Sequence, residues 1–193
     1  MNLPNKLTVA RILLTPFFVA ALLLDFPLHY LVALALFGAA SLTDLFDGKI
    51  ARRRGLITDF GKFADPLADK ILVISALLCF VQLGLCDCVA VIIVLFREFT
   101  VTSIRLIAAA KGEVIAANIF GKIKTVTQMV AVICIMVMQL ALELPRFGII
   151  FPDAVGTAFF MIGEALIWIT VFFAVLSGII YIKQNRHFIA DYK

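Results

Sequence analysis

The sequence has few charged residues, since Lys, Arg, Asp and Glu make up only 16% of its 193 residues. A typical soluble domain carries about 25%. Hydrophobic residues make up 63% of the chain, and the mean hydropathy is +1.09. No internal repeat, low-complexity tract or separate soluble domain is visible. This composition excludes an ordinary soluble protein and predicts one integral membrane domain over residues 1–193.

Cysteines are also scarce, and the four that are present form no recognisable site. Cys79 and Cys134 lie in apolar runs, where cysteine behaves as a small hydrophobic residue. Cys86 and Cys88 are two residues apart, a spacing that suits neither a relaxed disulfide nor a zinc site. We therefore expect the cysteines to be structural.

Long apolar runs are the dominant feature of the chain. About 20 apolar residues are needed for a helix to cross the ~30 Å hydrocarbon core of a bilayer. Runs of roughly this length cover residues 7–24, 28–46, 67–85, 88–110, 123–142 and 155–182. The predicted fold is an all-α membrane protein, with six transmembrane helices in one bundle and a polar cavity that faces the cytoplasm.

Basic residues in and near the connections between these runs alternate sharply from one connection to the next. One side would hold Lys6, Lys49, Arg52, Arg53, Arg54, Lys62, Lys111, Lys122, Lys124, Lys183, Arg186 and Lys193. The other would hold Arg146 with Asp25, Asp87, Glu143 and Asp153. The positive-inside rule then places both termini in the cytoplasm. Membrane topology and anionic lipid also explain the net charge of +4, so we expect a lipid bilayer and no nucleic acid as partner.

Four carboxylates, those of Asp44, Asp47, Asp65 and Asp69, interrupt this apolar pattern. An Asp at the centre of a membrane helix costs about 2.5–3.5 kcal/mol on insertion scales, so its presence indicates a function. Residues three or four apart share one face of a helix, so each pair converges. Two such helices facing one another would form a site for hard divalent cations, and Mg²⁺ suits one that also handles phosphates.

Small residues follow the first pair. Gly48 and Ala51 would leave an open backbone surface for a large substrate, and Arg52 offers a planar fork of donors for phosphate oxygens. The combination indicates a diphosphate site. Simpler interpretations stay open for each pair: Asp65 could be a helix N-cap before Pro66, and the first pair could form interfacial ion pairs with the neighbouring basic residues.

A second polar group lies further along the chain. Arg97 and Glu98 interrupt the fourth apolar run and could form a buried ion pair or bridge two helices. Arg105, Lys122 and Lys124 have fewer acidic neighbours and could bind an anionic second substrate. The two lysines would point to opposite faces of a helix, so only one is expected to enter a cavity. Alternatively, both could extend to the membrane interface.

The residues above belong to one longer motif, Asp44-x2-Asp47-Gly48-x2-Ala51-Arg52-x8-Gly61-x3-Asp65-x3-Asp69. This motif resembles the signature of the CDP-alcohol phosphotransferase family. Similarity to the bacterial branch that uses sn-glycerol 3-phosphate extends over about residues 3–128, through Leu3–Thr8 with Arg11, Asp65–Lys70, Arg97–Phe99 and Gly121–Thr125. The last apolar run contains nothing diagnostic.

The resemblance implies a homodimer in the bacterial inner membrane, with the active site on the cytoplasmic side. The donor would be CDP-diacylglycerol and the acceptor sn-glycerol 3-phosphate, giving phosphatidylglycerophosphate and CMP. Two Mg²⁺ ions, with Mn²⁺ as an alternative, would be held by Asp44, Asp47, Asp65 and Asp69, and Asp69 would also be the general base.

The resemblance also assigns the two substrate sites. The CDP-lipid site would comprise Asn5, Thr8, Gly48, Ala51, Arg52 and Gly61. The acceptor phosphate would be held by Arg105, Lys122 and Lys124.

Three alternatives remain at this level. The same family uses other acceptors, including inositol phosphate, serine and phosphatidylglycerol. A membrane prenyltransferase also binds Mg²⁺ and a diphosphate, but two separated Asp motifs and more spans would be expected. A cation transporter could use intramembrane carboxylates, but it does not need the small residues at these intervals. Metal-dependent CMP release would exclude the last two.

Overall fold

The structure is a computed structural model that describes residues 3–54, 59–113, 115, 118–148 and 151–186. Within these ranges, the side chains of residues 3–7, 44–54, 59–66, 69 and 153 lie outside the description. The described residues form six α-helices and contain no β-strand. The predicted all-α class and number of helices are therefore confirmed for this part of the chain.

The helices follow the apolar runs closely. They are α1 (Leu3–Leu23), α2 (His29–Arg54), α3 (Asp59–Gln82), α4 (Cys88–Ala110), α5 (Ile119–Glu143) and α6 (Asp153–Gln184), with a short 3₁₀ helix at Leu144–Phe147 after α5. The largest difference from the prediction lies in α2 and α3. Both helices extend well into the polar segment between the second and third apolar runs, so all four motif aspartates lie on helices.

Side-chain caps fix the starts of two helices. Asp87 precedes α4, and its carboxylate accepts a hydrogen bond from the backbone N–H of Val89 at 2.9 Å. Asn118 precedes α5, and its Oδ1 accepts from the N–H of Gly121 at 2.7 Å. Each cap satisfies a donor that the first helical turn would otherwise leave unpaired.

The core is formed by large apolar side chains from all six helices. Helix α1 packs on α2 and α3, while α6 packs on α4 and α5. Fully buried members include Phe18, Leu22, Phe37, Leu77, Phe80, Val91, Ile135, Met136 and Ile167. Many other large apolar residues are exposed, among them Phe17, Phe96, Phe99, Trp168 and Phe172. Extensive exposed apolar surface of this kind is typical of a membrane or protein contact.

Two segments, Ile119–Phe147 and Ala154–Gln184, are long and apolar enough to cross a membrane. Shorter apolar helices occupy Thr8–Leu23, His29–Thr43 and Lys70–Gln82. Helix α4 differs because charged residues interrupt its apolar sequence.

Polar contacts join the helices at the end of the bundle where α1 and α5 end and α2 begins. His29 Nε2 lies 2.8 Å from Glu143 Oε1, and both side chains are largely buried. Arg146 Nη1 lies 2.8 Å from Asp25 Oδ1, and this hydrogen bond holds the pKa of the Asp25 carboxyl below its usual value. Asp25, one of the acidic residues that the sequence places on the same side as Arg146, is thus its neighbour in space.

Candidate active site

The four motif aspartates lie on two consecutive helices. Asp44 and Asp47 belong to α2, and Asp65 and Asp69 belong to α3. The helical backbone gives each pair the spacing that brings side chains to one face, which suits a shared set of oxygen ligands. The side chains of these four aspartates lie outside the described set. Among the side chains that are described, no group of three His, Cys, Asp or Glu residues could hold a metal ion. The metal site therefore remains a prediction.

Most of the predicted CDP-lipid site lies outside the described side chains as well. This applies to Asn5, Gly48, Ala51, Arg52 and Gly61. Thr8 is described, on α1, and is 1% exposed.

One turn further along α1, Arg11 Nε donates to the carbonyl oxygen of Ala40 at 3.3 Å. Ala40 lies one turn before Asp44 on α2, so this contact brings the first part of α1 beside the start of the motif. The prediction that α1 contributes to the CDP-lipid site fits this arrangement and remains to be tested.

A cavity of about 380 Å³ lies between α3, α4, α5 and α6. Four of its side chains are basic and one is acidic, so the lining carries a net positive charge. The lining residues are Lys70, Arg97, Glu98, Val101, Arg105, Asn118, Gly121, Lys122, Thr125, Val126 and Tyr181. Because Lys70 directly follows Asp69 in the chain, the cavity adjoins the end of the aspartate motif.

The basic residues of the cavity differ in how far their donors are already occupied. Each nitrogen of the Arg97 guanidinium already donates to a protein oxygen: Nε and Nη2 donate to Ser177 Oγ at 3.0 and 2.8 Å, and Nη1 donates to Glu98 Oε1 at 2.8 Å. Lys70 Nζ donates to Thr102 Oγ1 and lies 3.8 Å from Glu98 Oε2. These two cations are held by protein groups.

Glycines create the space for Arg97. A Cβ on Gly121 of α5 would lie 3.3 Å from Arg97 Nη2 and 2.9 Å from Asn118 Oδ1. A Cβ on Gly178 of α6 would lie 3.2 Å from Arg97 Cγ. The close approach of α5 and α6 to this side chain therefore depends on the missing methyl groups.

Lys124 is buried away from the cavity. Its side chain is 4% exposed, and Nζ donates to Glu98 Oε1 at 2.5 Å. It borders a smaller space of about 40 Å³, beside Gln128. Of the two lysines predicted for the acceptor site, Lys124 is thus paired with Glu98 and is absent from the cavity lining, whereas Lys122 belongs to it. The expectation of a buried ion pair that bridges helices is confirmed for Glu98, with Arg97 and Lys124 as its partners.

Arg105 and Lys122 are the exposed cations of the lining. Arg105 Nε donates to the hydroxyl of Tyr181 at 3.3 Å, and its Cζ lies 5.6 Å from the centroid of the same ring. Its two terminal nitrogens have no partner among the described residues. The Lys122 ammonium likewise has none there. These donors can therefore bind an anion without first breaking a contact to a described group.

Helix α6 contributes two hydroxyl groups that sequence reasoning missed. Ser177 binds Arg97, and Tyr181 binds Arg105, one helical turn further along. Both lie in an apolar run and more than 70 residues from their partners in the chain. A spacing of four residues between two hydroxyl-bearing side chains was the only available signal.

Comparison with known proteins places this arrangement in context. The family model for CDP-alcohol phosphatidyltransferases matches residues 1–176. The CDP-diacylglycerol–glycerol-3-phosphate 3-phosphatidyltransferase of Bacillus subtilis is 43% identical, and the alignment covers 95% of each chain. The protein of the same name from Rickettsia bellii is 35% identical over 97% of each chain. A probable phosphatidylglycerophosphate synthase from Mycobacterium tuberculosis is 42% identical over 68% of this chain and 64% of its own.

Proposed function

Because the chain belongs to the CDP-alcohol phosphatidyltransferase family, we propose that it transfers a phosphatidyl group from CDP-diacylglycerol to sn-glycerol 3-phosphate. The products are phosphatidylglycerophosphate and CMP. The relatives from Bacillus subtilis and Rickettsia bellii, whose alignments cover at least 95% of both chains, carry the name of this activity. One observation in the structure supports the choice of acceptor: a cavity with available cationic donors adjoins the aspartate motif.

The acceptor carries a phosphate group that the cavity is suited to bind. Arg105 offers two terminal nitrogens, a geometry that matches two phosphate oxygens, and Lys122 adds a point charge. Serine is less well matched, because it has no phosphate and these cations would repel its ammonium group. We assign binding of the acceptor phosphate to Arg105 and Lys122. Lys124 pairs with Glu98 and would not contact the phosphate directly.

The aspartate motif would supply the chemistry. Asp44, Asp47 and Asp65, with Asp69, have the oxygen donors and helical spacing that suit two Mg²⁺ ions, with Mn²⁺ as an alternative. When bound, such ions neutralise the diphosphate and stabilise the departing CMP. Asp69 takes the proton from the acceptor hydroxyl as its oxygen attacks the lipid-side phosphorus. The bond between that phosphorus and the bridging diphosphate oxygen then breaks, and CMP leaves.

The exposed apolar surface and the alternation of basic connections support insertion of all six helices into a membrane. Both termini and the basic cavity would face the cytoplasm, where the anionic acceptor and CMP are soluble. Association of two chains into a homodimer is part of the proposal and is supported by the family resemblance alone.

The direct test is CMP release by the purified protein with CDP-diacylglycerol and Mg²⁺. Separate reactions would contain sn-glycerol 3-phosphate, inositol phosphate, serine or phosphatidylglycerol, and each would be repeated with a chelator. Release only with glycerol 3-phosphate and metal supports the proposal. Release with another acceptor would keep the family chemistry and refute the acceptor, while no release from folded protein would refute the enzyme assignment.

Substitution of the acceptor site gives the second arm of this test. Arg105→Ala removes the two free donors, so we expect the KM for glycerol 3-phosphate to rise about tenfold or more, since a hydrogen bond to a charged group contributes about 1.5–3 kcal/mol. The KM for CDP-diacylglycerol should not change. An unchanged acceptor KM would remove Arg105 from the site.

A further inference from the structure

We propose that Tyr181 is a positioning residue for acceptor recognition: its hydroxyl fixes the Arg105 guanidinium so that the terminal nitrogens face the acceptor phosphate. This inference rests on the proposed function, because it concerns the same cavity. It assigns a specific role to α6, the helix in which the sequence showed nothing diagnostic.

The ring of Tyr181 is held firmly in place. It is 2% exposed and packs against Val101 and Ile104 of α4, with Ile115 beside them. Such packing restricts the ring to one orientation, so the hydroxyl is a fixed point at the edge of the cavity. A buried tyrosine hydroxyl also requires a hydrogen-bond partner, and Arg105 supplies it.

Arg105 needs this contact because its side chain is otherwise exposed. A long exposed arginine has many rotamers, and binding a phosphate in one of them costs conformational entropy. The Nε hydrogen bond at 3.3 Å and the ring face, 5.6 Å from Cζ to its centroid, restrict the side chain before the ligand arrives. The fork that remains free has the geometry for two phosphate oxygens.

Arg97, the other arginine of α4, is held by a different hydroxyl of α6, that of Ser177. Ser177 accepts from two nitrogens of Arg97, and Glu98 accepts from the third. All three nitrogens of Arg97 thus already donate to protein oxygens, whereas both terminal nitrogens of Arg105 lack a partner among the described residues. Two hydroxyls one turn apart on α6 thus give the two arginines of α4 different roles, one structural and one prepared for binding.

Tyr181→Phe tests the inference because it removes only the hydroxyl and keeps the ring that packs on α4. We expect the KM for glycerol 3-phosphate to rise about three- to tenfold, the change expected for one net hydrogen bond. The kcat and the KM for CDP-diacylglycerol should stay at wild-type values, and the thermal unfolding midpoint should fall by no more than about 4 °C, since one hydrogen bond is lost. Tyr30→Phe is the matched control, since Tyr30 is also buried but lies beside His29 at the opposite end of the bundle.

A double-mutant cycle separates positioning from a general structural effect. In the Arg105→Ala background, Tyr181→Phe should produce no further change in the acceptor KM, because the side chain that it positions is gone. An undiminished effect in that background, or an unchanged acceptor KM in Tyr181→Phe alone, would overturn the inference. Failure of this inference can be distinguished from failure of the proposed acceptor site. If the acceptor site itself were wrong, Arg105→Ala alone would leave the acceptor KM unchanged.

Discussion

Lys124→Met is expected to destabilise the fold, although sequence reasoning placed Lys124 in the acceptor site. The ammonium is buried and donates to Glu98 Oε1 at 2.5 Å. Breaking a buried ion pair by removing one partner costs about 3–5 kcal/mol, because a buried charge is left uncompensated. Here Glu98 keeps Arg97 at 2.8 Å and Lys70 at 3.8 Å, so we expect the lower end, about 3 kcal/mol. Glu98→Gln should cost more, because it leaves Lys124 unpaired.

Thermal unfolding of the detergent-purified protein, followed by circular dichroism at the helical band, measures this effect. For a chain of this size, 1 kcal/mol corresponds to about 2–4 °C in Tm, so Lys124→Met should lower Tm by about 6–12 °C. Lys122→Met is the matched control, because it makes the same change two residues away at an exposed position. Its stability should change by less than about 0.5 kcal/mol, while its acceptor KM should rise.

The opposite pattern would refute the reasoning. If Lys124→Met unfolds at the wild-type temperature and raises the acceptor KM, then the ammonium faces the substrate and not Glu98. If Lys122→Met is the destabilised variant, then the assignment of the two helix faces is wrong.

Three further experiments test other parts of the molecule. Asp69→Asn should lower CMP release by about 10² or more, the range for loss of a general base, and near-normal turnover would exclude that role. In intact cells at pH 7, a membrane-impermeant maleimide should label Cys88, which is exposed, and not Cys86, which is buried. Burial also raises the pKa of the Cys86 thiol to about 12, so little reactive thiolate is present. Labelling of Cys88 only after lysis would show that the topology is the reverse of the one proposed. Ser177→Ala removes the acceptor of two Arg97 hydrogen bonds and should lower Tm by about 3–6 °C, which an unchanged Tm would contradict.

Hydrophobic runs predicted the helices because about 20 consecutive apolar residues have few stable alternatives to a helix. They did not predict where α2 ends and α3 begins, since the motif between them is polar. The spacing of Asp44 with Asp47, and of Asp65 with Asp69, contained the missing information: carboxylates that must converge at intervals of three and four require a helix. The structure extends both helices through these positions.

The acceptor site was only partly predictable. The two-residue spacing predicted that Lys122 and Lys124 lie on opposite faces of a helix. Which of the two faces the cavity depends on where α4 and α6 pack, and the local sequence does not contain that information. The roles of Ser177 and Tyr181 depend on contacts across 80 and 76 residues. Such pairings are set by packing of α4 on α6, and the four-residue spacing of the two hydroxyl groups does not identify their partners.

The position of Glu98 explains how a basic cavity can present a defined anion site. If every cation of the lining were available, a phosphate could bind in several places, and the cations would repel one another across a space of low dielectric. Glu98 accepts from Arg97 and Lys124 and so neutralises charge that lies beside or behind the cavity. Arg105 and Lys122, at the exposed side, have no carboxylate partner among the described residues. The carboxylate of Glu98 thus limits the electrostatic attraction for an anion to the part of the cavity lined by Arg105 and Lys122. An acceptor phosphate can contact both donors there, next to the helix that carries the proposed catalytic base.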